Sequence, residues 1–142
     1  MSEVSILIAE DDADDRFLLK TAFEEKGYEE TLEFVENGIE LLEYLDTRKT
    51  SGKLNGYPKL ILLDLNMPKK DGREVLKELK QNEKYRRIPI LIFTTTKNET
   101  EIRRCYELGA NTYIVKPARF DDLLDTITHI RSYWLDTATL AD

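Results

Sequence analysis

The sequence predicts a doubly wound α/β domain of three layers, with helices on both faces of a five-stranded parallel sheet. Three observations predict it. Five short apolar runs alternate with five helical stretches, and all but one of the connections are short. Four of the runs lack polar/apolar alternation, the mark of strands buried on both faces. At 142 residues the chain has the size of one domain and can bury a core without covalent staples. Residues 1–142 are therefore read as one unit, with a core of about 4–130 and a helix end and tail at 131–142.

Each element has a local signature. The strands are Ile6-Leu7-Ile8-Ala9, Leu32-Glu33-Phe34-Val35, Leu60-Ile61-Leu62-Leu63, Ile90-Leu91-Ile92-Phe93-Thr94 and Tyr113-Ile114-Val115. The first helix carries the stripe Leu18, Leu19, Ala22 and Phe23 and stops at Lys26-Gly27, a cation before a helix-ending glycine. The second carries Ile39, Leu41, Leu42 and Leu45, the third Val75, Leu76 and Leu79. A shorter helix with Ile102, Cys105 and Tyr106 stops at Gly109, and the last carries Leu123, Leu124, Ile127, Ile130 and Trp134. The stretch Asp46 to Lys59 is polar and broken by Gly52, Gly56 and Pro58, so it reads as one long connection.

Composition removes whole classes of function. Lys+Arg 21 against Asp+Glu 28 gives a net charge of -7, the wrong sign for non-specific nucleic-acid binding. No apolar run approaches the ~20 residues of a membrane span. Met1 to Asp12 has no basic region and turns acidic early, so it does not read as a signal peptide. The single cysteine, Cys105, excludes an internal disulfide and fits a reducing cytoplasm.

The chemistry sits where the strands end. Ligands of open parallel sheets bind beyond the carboxyl ends of the strands. Here the first strand ends in Glu10-Asp11, the third in Asp64, the fourth in Thr94 and the fifth in Lys116-Pro117. Carboxylates from two strands suit a hard divalent ion such as Mg²⁺. A carboxylate beside that ion can attack phosphorus, and an ammonium and a hydroxyl can receive the phosphoryl oxygens. Taken singly, each residue has a plainer reading. Asp11 and Asp12 suit a helix cap, Thr94 a β-branched strand residue, Lys116 a solvated lysine and Tyr113 the core. Asp12, Asp14 and Asp15 read as helix-start charge. His129 lies off the apolar stripe and reads as solvent-facing. Their joint placement at four strand ends favours a site.

These residues resemble the response-regulator receiver domain of two-component signalling. The stretch Leu62-Leu63-Asp64-Leu65-Asn66-Met67-Pro68-Lys69-Lys70-Asp71-Gly72 is similar to that family's phosphorylation loop. Glu10-Asp11 resembles its acidic pair, Thr94 its switch hydroxyl and Lys116-Pro117 its lysine and proline, and the similarity runs from about Val4 to about Thr128. The resemblance implies a flavodoxin-like strand order 2-1-3-4-5. It implies Asp64 as phosphoacceptor and Mg²⁺ held by Asp11, Asp64 and the Asn66 carbonyl, with Glu10 acting mostly through water. It further implies a cis bond before Pro117, a Thr94/Tyr113 switch, and no enzymatic activity beyond self-phosphorylation and dephosphorylation. Thr95 departs from the pattern, where Ala or Gly is usual, and its bulk bears on access to the phosphoryl group.

A narrower resemblance reaches the small regulators paired with cyanobacterial and bacterial phytochrome kinases. It rests on Pro68-Lys69-Lys70-Asp71-Gly72-Arg73-Glu74-Val75-Leu76, the run Thr94-Thr95-Thr96 and the tail Tyr133-Trp134-Leu135-Asp136-Thr137. It implies a stand-alone regulator with a phytochrome-type histidine kinase as partner, and a homodimer with Tyr113 and Trp134 in the contact. Helical geometry adds one expectation of its own. At ~100° per residue, Phe17 falls outside the apolar arc of the first helix and is expected to be exposed, where it would meet the kinase.

Three other classes fit the residues less well. A phosphorylation-independent binding module of the same fold needs none of Glu10, Asp11, Asp64, Thr94 and Lys116. An aspartyl phosphatase needs a second Asp two residues after its nucleophile, where Asn66 stands. A histidine phosphotransfer domain needs a helical bundle, which the alternating pattern excludes.

Overall fold

The computed structural model describes residues 4–50 and 56–141. The strands are β1 (Ile6–Ala9), β2 (Leu32–Val35), β3 (Leu60–Leu63), β4 (Ile90–Thr94) and β5 (Thr112–Val115), and the helices are α1 (Ala13–Glu25), α2 (Gly38–Thr50), α3 (Gly72–Gln81), α4 (Glu99–Glu107) and α5 (Phe120–Ile130). All strand pairs are parallel, in the order β2-β1-β3-β4-β5. The predicted fold class and strand order are those observed.

Strand periodicity divides the core into two layers, because successive side chains point to opposite faces. Leu7, Ala9, Ile61, Leu63, Ile90 and Ile92 pack with Leu41 and Leu45 of α2, Val75, Leu76 and Leu79 of α3, and Cys105 of α4. Ile6, Ile8, Leu60, Leu62, Leu91 and Phe93 pack with Leu19, Ala22 and Phe23 of α1 and Leu123, Ile127 and Ile130 of α5. Each of these large side chains contributes about 1.5–3 kcal/mol by leaving water. The exceptions are the two edge strands: β5 is half-buried along its whole length and β2 is fully buried only at Val35.

Helix ends follow local chemistry. Asp12 caps α1 by accepting from the Asp14 and Asp15 amides, Asp71 caps α3 through Arg73, and Asn98 caps α4 through Thr100 and Glu101. Gly27 and Gly109 stop α1 and α4 with φ of 72° and 108°, the left-handed geometry that glycine adopts without steric cost.

The structure corrects four expectations. Leu18, Ile39 and Tyr106, placed on apolar stripes by spacing, are exposed; Ile39 lies in the first turn of α2 and Leu18 in the second turn of α1, at the margin of the packed layer. The predicted long connection begins later than expected, since α2 runs on to Thr50. Its last turns are held by Tyr85, a buried residue whose hydroxyl donates to Asp46 at 2.5 Å and whose ring meets Tyr57 edge-on. Residues 51–55 of that stretch lie outside the described residues. The expected cis Lys116–Pro117 bond is absent, since no described peptide bond is cis. The trans form is the preferred state of X-Pro bonds, and Lys116 reaches its carboxylate partners from it. Finally, α5 does not end as a simple helix. Residues Arg131–Thr137 continue it with wider π-type turns, closed by the Ala138 amide donating to the Tyr133 carbonyl at 2.7 Å. Trp134 and Leu135 of this segment pack partly against the α1/α5 layer, while Tyr133 stays exposed.

Candidate functional site

Parallel register is what assembles the site. Ala9 lies beside Leu63, Leu63 beside Ile92 and Thr94 beside Val115. The next residue along β1, β3 and β5 is therefore Glu10, Asp64 and Lys116, and Thr94 closes β4. Backbone hydrogen bonds carry the alignment past the strand ends. The Asp64 amide donates to the Ala9 carbonyl at 3.1 Å and the Lys116 amide to the Thr94 carbonyl at 2.8 Å.

Glu10, Asp11 and Asp64 each offer one carboxylate oxygen, and these atoms lie within 4.8 Å of one another. Glu10 and Asp64 are buried, and Asp11 is exposed. Like charges at such spacing repel by several kcal/mol at an effective dielectric near 20, so the cluster requires positive charge. Part of it comes from Lys116, whose Nζ contacts Glu10 Oε1, lies 3.1 Å from Asp64 Oδ2 and 3.0 Å from Asp15 Oδ2. Burial pushes the Glu10 carboxyl up to about 7, with the Asp64 charge adding and the Lys116 hydrogen bond opposing. Burial alone would lower the Lys116 pKa, but the bond to Glu10 and the charges of Asp64 and Glu10 hold it above the usual lysine range. The ammonium is thus firmly cationic.

The rest of the pocket is built to receive oxygen atoms. The Asn66 amide donates to Asp64 Oδ1 at 3.2 Å, which aims the carboxylate. Thr94 is fully buried, and its Oγ1 finds no hydrogen-bond partner among the described residues. An unmatched buried hydroxyl costs about 1–3 kcal/mol, a cost that an incoming oxygen would remove. Tyr113, half-buried, donates its hydroxyl to the Thr96 carbonyl at 2.8 Å, and its amide donates to the Tyr106 hydroxyl at 3.0 Å. The loop from Thr94 to α4 is therefore tied directly to β5.

The structure brings together Glu10, Asp11, Asp64, Asn66, Thr94 and Lys116 and sets Tyr113 behind Thr96. It leaves Phe17 apart from them on the outer side of α1, 68% exposed. It also adds a residue that the sequence reading assigned to helix-start charge. Asp15 reaches the ammonium of Lys116 and borders a cleft of ≈ 270 Å³ lined also by Leu18, Phe93, Thr95 and Pro117. No local signal set Asp15 apart from its acidic neighbours, because its partner Lys116 lies 101 residues away.

The donor set suits a divalent ion, since three carboxylates converge on one point with a net negative charge. The orphaned Thr94 hydroxyl and the cationic Lys116 suit a phosphoryl group beside it. Comparison with known proteins identifies the family. The family profile of the response regulator receiver domain matches residues 6–128. The chain is 38% identical to the probable methanogenesis regulatory protein FilR2 of Methanothrix harundinacea over 92% of its length and 83% of that protein. It is 38% identical to response regulator Rcp1 of Synechocystis sp. over 95% of its length and 91% of that protein. The Mn²⁺-bound form of Rcp1 superposes with a TM-score of 0.84 at 37% identity, covering 97% of this chain and 99% of that one. The phosphorylated cyanobacterial phytochrome response regulator RcpA superposes with a TM-score of 0.88 at 36% identity, covering 99% and 100%. With its fold, its converging acids and its lysine accounted for, the chain belongs to the response-regulator receiver family of two-component signalling.

Proposed function

We propose that Asp64 accepts a phosphoryl group from a histidine kinase, aided by Mg²⁺. The observation that carries this reading is the buried Asp64 carboxylate, with Glu10 and Asp11 beside it and the Lys116 ammonium 3.1 Å away. One Asp64 oxygen attacks phosphorus, forming a P–O bond as the P–N bond to the kinase histidine breaks, and the histidine nitrogen leaves with the electron pair of that bond, as a neutral imidazole protonated on its other nitrogen. Glu10, Asp11, Asp64 and the Asn66 carbonyl would hold the ion, which when bound supplies positive charge to the transferring oxygens. Lys116 donates to one phosphoryl oxygen and Thr94 to another, which matches the orphaned state of its hydroxyl. The Mn²⁺-bound form of Rcp1 and the phosphorylated form of RcpA support both halves of this reading. Wild-type protein incubated with Mg²⁺ and acetyl phosphate should gain one phosphoryl mass, and should gain none in EDTA. Labelling that survives EDTA would exclude the metal-assisted route.

The relay follows from the same geometry. A new anion at Asp64 draws the Thr94 hydroxyl, and the Tyr113–Thr96 hydrogen bond passes the displacement from the β4–α4 loop to β5. Physically this is a bias on an existing equilibrium. The chain works as one regulatory unit in the cytoplasm, catalysing only its own phosphorylation and dephosphorylation, and no described helix is long and apolar enough to cross a membrane.

Partner surfaces follow from exposed aromatics. Phe17 is the most exposed large apolar side chain among the described residues, with Leu18 beside it, and together they suit the helical bundle of a histidine kinase, of phytochrome type by the likeness to RcpA. Phe17→Ala should slow transfer from the kinase about tenfold, the scale of one lost interface anchor, while acetyl-phosphate labelling stays normal. Unchanged transfer would remove Phe17 from the contact. The half-buried edge strand β5 with Tyr113, the exposed Tyr106 and the tail segment holding Trp134 are the surface we assign to a homodimer. Sedimentation should then show a concentration-dependent dimer that Tyr106→Glu dissociates. A monomer at all concentrations, with or without phosphorylation, would overturn that assignment.

A further inference from the structure

We infer that Asp15 is a positioning residue that holds the Lys116 ammonium on the α1 side of the pocket, so that a divalent ion can occupy the three-carboxylate cluster. The inference rests on the reading of that cluster as a Mg²⁺ site.

An ammonium has three N–H groups, and those of Lys116 face three carboxylates: Glu10, Asp64 and Asp15. Glu10 and Asp64 belong to the cluster whose oxygens converge within 4.8 Å, together with Asp11; Asp15 does not. The same lysine is thus shared between the ion-binding acids and one acid outside them. A divalent cation entering the cluster repels the ammonium and competes with it for Glu10 and Asp64. The ammonium side chain is only 10% exposed, so moving away without a counter-charge would leave a poorly solvated cation, which is unfavourable. Asp15 provides that counter-charge.

Its own placement is inexpensive. Asp15 lies in the first turn of α1, where a carboxylate is favoured by the helix dipole, and its side chain is 37% exposed. It borders the cleft that also contains Lys116, Thr95 and Pro117, so the ammonium held there stays beside the carboxylate cluster. Asp14, the neighbouring acid, is exposed and makes no such contact, its amide serving the Asp12 cap. The charges of the acidic run are therefore not equivalent.

Isothermal titration of the protein with Mg²⁺ tests this through Asp15→Ala, Lys116→Met and the double variant. Asp15→Ala should weaken Mg²⁺ about five- to tenfold, because Lys116 then rests on Glu10 and Asp64 alone. In the Lys116→Met background the same substitution should change Mg²⁺ affinity less than about twofold, a coupling that marks action through the lysine. Thermal melting in EDTA verifies that each variant is folded. Equal weakening in both backgrounds would show a simple field effect and overturn the positioning role, as would an Asp15→Ala affinity equal to wild type. If wild-type protein itself bound no Mg²⁺, the reading of the cluster would fail, and the inference with it; normal wild-type binding with an inert Asp15 defeats the inference alone.

Discussion

Asp64→Asn protein is expected to fold and to take up no phosphoryl group from acetyl phosphate or from a kinase. The substitution keeps the shape of the side chain, including an oxygen able to accept the Asn66 amide that Asp64 Oδ1 accepts at 3.2 Å. It removes the nucleophile, since an amide oxygen carries no negative charge with which to attack phosphorus. Labelling should fall below about 1% of wild type, which corresponds to more than ~2.7 kcal/mol of barrier. The fold should survive because the core lies in the two layers flanking the sheet and not at its carboxyl ends. One of three crowded carboxylates also becomes neutral, offsetting the loss of the Lys116–Asp64 ion pair. Intact-mass measurement with Mg²⁺ present, paired with a thermal melt, reads both quantities. A phosphoryl increment that persists in Asp64→Asn would place the acceptor elsewhere.

Gly72→Ala should be the most damaging single methyl group near the site. A Cβ at position 72 would stand 2.3 Å from the Asp64 carbonyl oxygen and 2.7 Å from Leu65 Cα. Both are backbone atoms, so no flexible side chain can yield, and the start of α3 must move away from the end of β3. Overpacking of this kind costs about 1–3 kcal/mol, and for a chain of this size the melting temperature should drop by roughly 5–10 °C. Function suffers as well, because the Gly72 amide donates to the Leu65 carbonyl at 3.0 Å and so shapes the loop holding Asp64 and Asn66. Acetyl-phosphate labelling should slow about tenfold through misalignment alone. Gly27→Ala is the fitting control. Its φ of 72° carries a conformational penalty of about 1–2 kcal/mol, yet nothing lies within 4 Å of the added carbon. Gly27→Ala should therefore lower stability without changing labelling. Equal labelling rates in Gly72→Ala and wild type would mean that the loop tolerates displacement of α3.

The strands were the most legible part of the molecule. β1, β2, β3 and β4 have the limits expected from their apolar runs, and β5 gains only Thr112. The runs of β1, β3 and β4 are readable because burial on both faces favours apolar side chains, while β2 exposes Glu33 and shows as an alternating segment. The glycine stops at Gly27 and Gly109 were readable for a similar reason, since φ values of 72° and 108° admit few other residues. Helical stripes were less secure. Leu18 and Ile39 fit the periodicity and are nonetheless exposed, because spacing gives the direction of a side chain and not how far the opposing layer extends. The end of α2 was hidden because its anchor, Tyr85, comes from a distant segment.

By itself, the sequence determined the parallel α/β class, the order of its elements and the identities of Glu10, Asp11, Asp64, Thr94 and Lys116 as strand-end residues. These are local properties, set by runs, breakers and the residue that follows each strand. Tertiary structure alone decided what each acid of the run meets, Asp15 above all. Glu10 and Asp11 join Asp64 across the sheet, Asp12 caps α1, and Asp15 turns to Lys116, 101 residues away in sequence. Five similar carboxylates in six positions look alike along a chain. Strand register and the helix turn that follows give each a different neighbour, and that neighbour sets whether its charge binds an ion, caps a helix or steers a lysine.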